Sequence, residues 1–600
     1  MFLKVISEHI SRTKVLFEEK ERQYVVLLFF GILIMGVLEV VGIASIAPFM
    51  AVISDPNIIH ENTYLSTLYQ YFNFDNDNEF LQILGLAALI ILVFSNGISA
   101  FVNWGIIFFS RRQAHLISMR LLKQYLSQPY LFFLDRNTAD LGKNLLSEVD
   151  RSINGAVLPG MLALSRIIIA IFILIFLFYI DTAVALIAMV LMGGTYSLIF
   201  VLIRKRLHRI GVSSTDIEKR RFKTAHEAMS GIKEIKLRNS EKAFLDRFEL
   251  PSSDKAKFNT YSQLSTILPR YLLDTIAFGG ILSLMIYMVY AGKTSGEIIP
   301  IVTLYALAGY RLMPALQQIY ASSTQLKYNL PALDILINDL NDNTDIPQTK
   351  YKETQLLPFS KQLVLEGISF KYPNTTKPIL ENLSLKIESN TTVGLIGITG
   401  SGKTTLVDIL LGLLIPQQGR MIVDETEVTP MNISGWQKNL GYVPQTIYLT
   451  DDSIEHNIAF AAVKDKIDKN KVREAAKLAE LDEFIQTLPQ GYQTDVGERG
   501  VRLSGGQRQR IGIARTLYHD PKILVLDEAT SALDGVTENV IMDAINNLSH
   551  KKTIVMIAHR LSTVKECDVI HIMENGCIIK SGTYNELLEN SENFRNMANV

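Results

Sequence analysis

Hydrophobic residues are concentrated in the first half of the chain, where they form six long apolar runs separated by polar segments. Each run is long enough to cross a bilayer core of about 30 Å as a helix. A helix also satisfies its own backbone hydrogen bonds in lipid. We therefore predict six transmembrane helices, at about 24–53, 80–109, 156–180, 182–203, 268–291 and 297–320.

The charges between the runs predict the orientation of these helices. Lys and Arg are abundant before the first run and after the second and fourth runs, whereas residues 54–78 contain neither. Because basic segments stay on the cytoplasmic side, we predict that both termini lie in the cytoplasm. The first run is too long for the apolar part of a signal peptide, so it is predicted to remain as a span.

Two long basic loops, 111–155 and 204–267, have the apolar periodicity of helices. We predict that the membrane helices continue through them into the cytoplasm and double back through short crosswise helices near 130–137 and 222–231. Such tips are suited to contact a second domain. The alternative, a separate cytoplasmic domain in these loops, has few turn signals to support it.

The pattern changes after residue 327. A polar linker at about 328–360 precedes strands that alternate with helices, which is typical of an α/β domain. We therefore predict a six-helix transmembrane domain at 1–327 and an α/β domain at 361–600. The fold class is an α-helical six-span domain fused to an α/β P-loop domain.

The segment Gly397–Thr404 has the spacing of a phosphate-binding loop, with an apolar strand before it and a helical run after it. Its glycines let backbone N–H groups approach the phosphates of ATP. Lys403 is suited to the β- and γ-phosphates and Thr404 to Mg²⁺. The residues predicted to bind ATP here are Gly397, Thr399, Gly400, Ser401, Gly402, Lys403, Thr404 and Thr405.

Two acids, Asp527 and Glu528, follow the apolar run 523–526. At the end of a buried strand beside a phosphate loop, Asp527 is placed to bind Mg²⁺ through water, and Glu528 to polarise the attacking water. The simpler interpretation is a solvated acidic pair at a strand end. The phosphate loop upstream favours the catalytic one.

A third motif, Leu503-Ser-Gly-Gly-Gln507, opens a helical stretch. Together with the two phosphate motifs it resembles the ABC ATPase family, and the six-span half resembles the exporter-type membrane domain. The resemblance implies that Ser504, Gly505, Gly506 and Gln507 bind ATP across a dimer. It further implies adenine stacking by Tyr372, sensing of Mg²⁺ and water by Gln445, coupling of the two sites by Asp534 and a γ-phosphate switch at His559.

The same resemblance implies an ATP-hydrolysing exporter with ATP and Mg²⁺ as its cofactors. One chain carries one copy of each motif, so a homodimer with two ATP sites is predicted. The segment 496–500 resembles the exporter loop that contacts the crosswise helices. A non-transport ABC protein is the alternative, but such proteins usually lack the glutamate or the histidine, and Glu528 and His559 are both present.

Three arginines lie within predicted spans, where ionisable residues are costly and often mark a pathway. Arginine binds two phosphate oxygens at once, so Arg311, Arg270 and Arg166 are candidate ligands for an anionic substrate. Structural alternatives remain open: Arg270 can pair with Asp274 one turn away, and Arg166 can extend to the inner headgroups. Glu39, in the first span, is more typical of a residue that neutralises a neighbour.

Residues 64–74 predict an amphipathic, aromatic-rich helix in the first external loop, either at the membrane interface or packed on its own spans. With Gly309–Pro314, Pro269–Tyr271, Gly231–Lys236 and Phe132–Asn137, this half resembles ABC flippases of lipid-linked oligosaccharides, the PglK type. The resemblance implies a polyprenyl-pyrophosphate-linked glycan as cargo. An exporter of another lipid (lipid A-like), of a drug or of a peptide remains an alternative.

Composition narrows the picture further. The 59 basic and 60 acidic residues give a net charge of −1, which does not favour nucleic-acid binding. Two cysteines in the soluble half make a disulfide framework improbable and suit a reducing cytosol. A multi-pass protein of a bacterial inner membrane, in contact with membrane lipid, is predicted.

Overall fold

The computed structural model describes most of the chain. The described residues are 16–54, 56–180, 182, 185–186, 189–290, 292, 295–341, 355–373, 375–529, 535–558, 560–592 and 594–595. For residues 54, 180, 284, 295–301, 303–305, 307–308, 311 and 535–537 it describes the backbone alone.

The chain divides into two compact units. The membrane unit comprises Met1–Gln128 and Asp135–Thr344, and the nucleotide unit comprises Asp345–Val600 together with the short segment Pro129–Leu134. The second unit therefore includes one of the predicted crosswise tips. Its Leu131 packs against a hydrophobic core of the nucleotide unit, which explains why this segment belongs with that unit.

The membrane unit is helical throughout its described part, apart from short connections. The α-helices up to residue 341 are α1 Glu19–Ala44, α2 Ile46–Ser54, α3 Ile58–Glu61, α4 Thr63–Tyr71, α5 Asp77–Ser127, α6 Tyr130–Asp135, α7 Thr138–Lys143, α8 Val149–Ser152, α9 Leu158–Ile180, α10 Gly194–Ser230, α11 Ile232–Arg238, α12 Glu241–Tyr290 and α13 Ser295–Asn341. All of them belong to the membrane unit except α6, of which only Asp135 does. Three π-helical turns, at Asn144–Glu148, Ile153–Val157 and Met189–Gly193, join some of them.

Among the described residues, four helical stretches are long and apolar enough to cross a membrane. They are Glu19–Ile53, Asp77–Ser127, Thr138–Tyr179 and Glu241–Tyr290. The first two contain the predicted spans 24–53 and 80–109, and the last two cover the predicted spans 156–180 and 268–291 except for the final residue of each. The predicted spans 182–203 and 297–320 run over residues that the structure does not describe completely. For these two the sequence prediction stands as it was made.

Two sequence predictions need correction. Residues 328–341 are not a polar linker, because α13 continues to Asn341, with Leu333, Leu336 and Leu340 buried along it at helical spacing. The second tip lies later than 222–231. Helix α10 continues to Ser230, and the short helix is α11, whose C-cap Asn239 adopts the left-handed conformation with φ 50°.

The nucleotide unit contains the strands β1 Gln362–Phe370, β2 Leu380–Glu388, β3 Thr392–Gly397, β4 Gln418–Val423, β5 Thr426–Glu427, β6 Leu440–Val443, β7 Ile523–Asp527, β8 Thr553–Ile557, β9 Val569–Glu574 and β10 Cys577–Gly582. Within its described residues they form a four-stranded sheet, β2-β1-β4-β5, and a six-stranded sheet, β10-β9-β3-β8-β7-β6. In the larger sheet β6, β7, β8, β3 and β9 are parallel neighbours.

The helices of this unit follow the strands, as the α/β pattern predicts. They are α14 Lys403–Leu410, α15 Ile433–Gln437, α16 Ile454–Ile458, α17 Lys469–Leu478, α18 Asp482–Thr487, α19 Gly505–Leu517, α20 Gly535–Asn546 and α21 Tyr584–Asn590. Strands β7 and β8 are buried along their whole length, which is typical of a parallel sheet covered on both faces. Because β3, β6 and β7 run in the same direction, their carboxyl ends lie at one edge of the sheet.

Candidate nucleotide site

The predicted phosphate loop, Gly397–Thr404, begins at the last residue of β3 and ends in the first turn of α14, and residues 398–402 connect the two elements. Gly400 and Gly402 have φ values of 85° and 100°, which residues with a Cβ rarely adopt. A Cβ on Gly402 would lie 2.8 Å from Leu380 Cδ2, whereas one on Gly400 would meet nothing within 4 Å. The glycines are therefore needed for the shape of the loop, and the space beside Gly400 is open.

Lys403 begins α14 and is 6% exposed. Its Nζ donates to the carbonyl oxygens of Gly397 at 2.8 Å and Ile398 at 3.0 Å, so the ammonium group is held inside the loop. Burial lowers the pKa of Lys403, while Glu528 and Asp527 act in the opposite direction. The lysine charge thus lies near both predicted catalytic acids, as the motif spacing predicts.

The two acids occupy the end of β7. Asp527 is 8% exposed, and Glu528 follows it with φ 48°, an unusual conformation for a residue with a side chain. Its backbone N–H donates to the carbonyl of Ile557 at 3.1 Å, which holds this turn against β8. Backbone strain of this kind is frequent at functional sites, and here it directs the glutamate away from the strand.

Gln445 follows β6, the strand that neighbours β7, and its Nε2 donates to Glu528 Oε2 at 2.6 Å. The sequence placed Gln445 at this site only through the family resemblance. The geometry brings the amide and the carboxylate into direct contact, although 82 residues separate them in the chain. A hydrogen bond of this kind orients the carboxylate that is predicted to act on water.

Sequence reasoning missed two residues here. The hydroxyl of Tyr442 donates to Asp527 Oδ2 at 3.3 Å. Asp408, buried in α14, has its pKa raised to about 6 by burial and by the charge of Asp527. No sequence signal distinguished Tyr442, because the strand end that it contacts lies 85 residues later in the chain. No sequence signal distinguished Asp408.

Tyr372 lies close to the phosphate loop. Its hydroxyl is 3.2 Å from Thr405 Oγ1 on α14, and its ring packs edge-on against Phe370 at 5.1 Å between centroids. The predicted adenine-stacking residue and one predicted phosphate-loop residue are thus brought together. Thr404 is exposed beside the buried Lys403 and Thr405, as a residue that meets a bound metal should be.

Ser504 begins α19 as its N-cap. Its Oγ accepts from the N–H of Gln507 at 3.2 Å, and Gln507 Oε1 accepts from the N–H of Ser504 at 2.9 Å. This reciprocal pair is a capping box, which fixes the first turn of the helix. Ser504 is exposed, so the positive end of α19 is presented at the surface of the unit.

Two predicted site residues, Asp534 and His559, lie outside the described residues. Their roles stay predictions of the family resemblance. The segment around the first begins directly after Ala529, and the second follows β8, whose last residue is Ile557.

The described residues fit ATP and Mg²⁺. The Oγ of Ser401, 2% exposed, has no hydrogen-bond partner among the described residues, and it lies in the loop whose N–H groups are suited to phosphate. Lys403 supplies the positive charge. Asp527 and the hydroxyl of Thr404 are oxygen donors of the kind that Mg²⁺ prefers.

Comparison with known proteins shows the family of the chain. A family model described as ABC transporter matches residues 380–531, and one described as ABC transporter transmembrane region matches residues 26–268. An ATP-dependent lipid A-core flippase of Cupriavidus pinatubonensis is 30% identical over 485 residues, which are 80% of this chain and 81% of that protein. The chain belongs to the ABC transporter family.

Another relative of this ABC transporter is the ATP-dependent lipid A-core flippase of Saccharophagus degradans, 35% identical over 375 residues. That alignment covers 62% of each protein, so this chain spans about three fifths of that relative's length. A solved structure described as a bacterial Atm1-family ABC exporter with ATP bound has a TM-score of 0.75 at 22% identity. It covers 96% of this chain and 98% of that chain. The likeness shows the fold of an ABC half-transporter.

The membrane unit does not bring the three predicted substrate arginines into one described cluster. Arg270 Nε lies 3.6 Å from Asp274 Oδ2, so the helical pairing that the sequence left open is formed. Arg166 is half-buried on α9. The side chain of Arg311, on α13, lies outside the described part of the chain. Glu39 is 5% exposed and accepts from Ser99 Oγ at 3.3 Å, which agrees with a structural role.

The amphipathic external helix predicted at 64–74 is present as α4. Leu65 is buried against Val52 and Ile59, whereas four large apolar residues are exposed. These are Tyr64 at 84%, Leu68 at 44%, Tyr71 at 78% and Phe72 at 62%. The helix is therefore anchored through Leu65 and the partly buried Tyr69, and it presents an aromatic surface, a composition suited to a membrane interface.

Proposed function

We propose that this chain is one half of an ATP-hydrolysing ABC exporter that moves a lipid-linked cargo from the inner to the outer leaflet. The observation that carries the proposal is the meeting of Lys403, Asp527, Glu528 and Gln445 at the carboxyl edge of the parallel sheet. A cation, a metal-binding acid, a catalytic acid and an orienting amide are the groups that phosphoryl transfer to water requires.

The parts of this site have separate roles. The loop N–H groups and Lys403 bind the phosphates, and Tyr372 binds the adenine. Thr404, Asp527 and Gln445 hold Mg²⁺, which neutralises charge on the transferred phosphoryl group when it is bound. Glu528 polarises the attacking water, with His559 at the γ-phosphate and Asp534 coupling the two sites.

A homodimer completes the site in this proposal. Each chain contains one phosphate loop and one Ser504–Gln507 loop. The exposed, positively polarised start of α19 is suited to the γ-phosphate of ATP bound to a second copy. Closure on two ATP molecules and separation after hydrolysis would drive alternating access in the membrane halves.

The test of hydrolysis is Glu528→Gln in purified full-length protein. We expect ATP turnover to fall about 100-fold or more, because the carboxylate that polarises water is lost, while ATP binding persists. Glu425→Gln is the matched control, since that carboxylate is 86% exposed and pairs with Lys361 on the surface of the same unit. Unchanged turnover in the Glu528 variant would contradict the assignment.

For the cargo we propose a polyprenyl-pyrophosphate-linked oligosaccharide. Support comes from the four segments that resemble lipid-linked oligosaccharide flippases, from the arginines in the membrane helices and from the exposed aromatic surface of α4. The similarity to lipid A-core flippases supports a lipid cargo in general. The protein would lie in a bacterial inner membrane with both termini in the cytoplasm.

A lipid A-like molecule is the second candidate, because two of the relatives are named for it. Export of a drug is a further alternative, because a relative of Bacillus subtilis is named a putative multidrug export ATP-binding/permease protein. Both lipid candidates carry phosphate, so arginine ligands fit either of them. Transport assays with each purified lipid, in the same proteoliposomes, distinguish the two.

The arginine ligands are tested by Arg311→Ala combined with Arg270→Ala in reconstituted protein. We expect loss of flipping of a pyrophosphate-linked glycolipid while basal ATP hydrolysis persists. Arg220→Ala, an exposed arginine on the cytoplasmic part of α10, is the control for loss of positive charge. Unchanged flipping would remove the arginines from the proposal, and absence of flipping by the wild type would remove this cargo.

A further inference from the structure

A strongly basic cleft lies between α10 and α13 in the membrane unit. It has a volume of about 550 Å³ and is lined by Arg204, Lys205, His208, Arg209, Val212, Ser213 and Lys327. This set contains two arginines, two lysines and no acid. None of the transport steps described above uses it.

Within the described part of the chain, no acid neutralises the arginines and lysines of the basic cleft. No acidic side chain among the described residues forms an ion pair with Arg204, Lys205, Arg209 or Lys327. By contrast, Arg206, on another side of α10, lies over the ring of Tyr261 at 4.3 Å. Like charges that line one cleft repel one another, so a bound anion would stabilise this arrangement.

Close packing of the two helices forms the cleft. A Cβ on Gly211 would lie 2.3 Å from the carbonyl oxygen of Tyr328, so α10 approaches the backbone of α13 as only glycine permits. Lys327 directly precedes that contact, and it is half-buried. The contact thus holds a lysine of one helix opposite the arginines of the other.

The position of the basic cleft along the helices points to a lipid headgroup. The predicted fourth span ends at residue 203, and Arg209 follows about 9 Å later at roughly 1.5 Å per residue. The headgroup layer is about 5 to 8 Å thick on each side of the bilayer core. Arg204 therefore lies at headgroup level, and Arg209 at its cytoplasmic border.

An apolar strip on α10 continues from the cleft toward the membrane. Leu198, Val201 and Leu202 are 63%, 40% and 71% exposed, and they precede Lys205 on the same side of the helix at helical spacing. An acyl or polyprenyl chain can pack against such an apolar strip, whereas a soluble anion has no apolar part to do so. The headgroup cleft and the apolar strip together match an amphipathic anion.

We propose that the basic cleft binds the phosphate-bearing headgroup of a lipid in the inner leaflet, with the lipid tail along Leu198, Val201 and Leu202. The inference rests on the proposed function only for the orientation of the chain. The lipid is either the cargo before transport or a resident anionic phospholipid, because both present phosphate oxygens to the forks of Arg204 and Arg209.

The test compares lipid binding by full-length protein carrying Arg204→Gln and Arg209→Gln with binding by the wild type. Retention of undecaprenyl pyrophosphate and of phosphatidylglycerol is measured separately by native mass spectrometry. We expect at least ten-fold weaker binding by the variant and recovery with Arg204→Lys and Arg209→Lys, which keep the charge. Arg220→Gln with Lys223→Gln is the matched control, because it removes two charges from the same helix outside the cleft.

Each outcome decides the proposal. Stronger cleft-dependent binding of undecaprenyl pyrophosphate supports the cargo as the ligand, and equal cleft-dependent binding of both lipids supports a resident phospholipid. Binding that is the same in the glutamine variant and the wild type overturns the proposal. If that variant does not fold, Lys205→Gln with Lys327→Gln takes its place. A wild type that binds lipid at the cleft but flips nothing contradicts the proposed function alone.

Discussion

At the scale of single residues, burial shifts the pKa of an ionisable side chain, and nearby charges can offset that shift. Lys403 remains near two acids in spite of its burial, because the acids offset part of the cost of an enclosed cation. His571 on β9 has no acidic partner among the residues that the structure describes. It is 8% exposed, its Nδ1 lies 2.7 Å from Ser581 Oγ, and burial lowers its pKa to about 4.

His571 should make the nucleotide unit less stable in acid. Above pH 6.5 the ring is neutral in both states, and the full stability is present. As the pH falls from 6.5 to about 4, the unfolded state binds the proton first, so stability is lost. Between pH 7.5 and pH 5 the loss is about 2 kcal/mol, which corresponds to roughly 4–8 °C in the unfolding midpoint.

The measurement is thermal unfolding of full-length protein at both pH values, for the wild type and for His571→Gln. The glutamine variant should lose less of its midpoint on acidification. His226→Gln, which replaces an exposed histidine of α10, should behave like the wild type. An equal acid shift in the wild type and in the His571 variant would contradict the prediction.

Residue positions in the site were predictable to the extent that they belong to one continuous motif. Lys403 and Asp527 each follow from local spacing, and the structure places them together. Tyr442 and Asp408 were not predictable, because their significance depends on contact with Asp527, more than 80 residues later in the chain. A contact between distant segments leaves no trace in the local pattern of either segment.

At the scale of elements, helices α10 and α13 of the membrane unit pack against each other at two places. Tyr196 of α10 stacks on Tyr320 of α13 at 4.9 Å between ring centroids. Further toward the cytoplasm the two helices meet at Gly211 and Tyr328. The hydroxyl of Tyr328 also donates to Ser214 Oγ at 2.9 Å, so this crossing is both closely packed and hydrogen-bonded.

Gly211→Ala should therefore destabilise the membrane unit. The new Cβ would lie 2.3 Å from a backbone oxygen, which cannot rotate away, so the helices must separate. Overpacking of this kind costs about 1–3 kcal/mol. Thermal unfolding in a fixed detergent measures the loss.

Gly194→Ala is the matched control on the same helix, since its Cβ would meet nothing within 4 Å. It should leave the unfolding midpoint unchanged or raise it slightly, because alanine favours a helix over glycine by about 1 kcal/mol. If both variants unfold at the wild-type temperature, the crossing at Gly211 is not as close as the structure shows.

Element types were more predictable than element ends. The tip near 130–137 is present as α6, because local helix signals surround it. The second tip was placed too early, since nothing in the local pattern showed that α10 would continue to Ser230 before the break at Gly231. Residues 328–341 were predicted as a linker because they are polar. They are helical because Leu333, Leu336 and Leu340 of α13 are buried in the fold.

At the scale of the whole molecule, one carboxylate joins the chain segments that flank α6. Asp339, near the end of α13, accepts from Tyr125 Oη at 2.6 Å and from Asn144 Nδ2 at 2.9 Å. Arg136 Nη1 lies 3.9 Å from the same carboxylate. Burial and the contact with Asp339 raise the pKa of Tyr125, so its hydroxyl remains a donor. Both ends of the loop that carries α6 are thereby fixed to α13.

Asp339→Asn should loosen this attachment and reduce the cargo moved per ATP hydrolysed. We expect a reduction of roughly ten-fold, since hydrogen bonds to a charged group contribute about 1.5–3 kcal/mol. Paired assays of lipid flipping and ATP hydrolysis in proteoliposomes measure the ratio.

Asp254→Asn, a partly exposed carboxylate that pairs with Lys257 on the cytoplasmic part of α12, is the control for the loss of one negative charge. Its ratio of flipping to hydrolysis should match that of the wild type. A ratio in the Asp339 variant that also equals the wild-type value would show that this carboxylate has no part in coupling.

The sequence by itself determined the membrane character of the first half and the α/β character of the second, and it predicted the motif residues of the candidate ATP site. Each of these depends on local composition or spacing, such as apolar runs of bilayer length or a glycine loop between a strand and a helix. Only the tertiary structure decided the ion pair of Arg270 with Asp274, the fixation of the α6 loop by Asp339 and the basic cleft between α10 and α13. The first depends on the side-chain conformations that folding selects, and the other two on how closely distant segments approach.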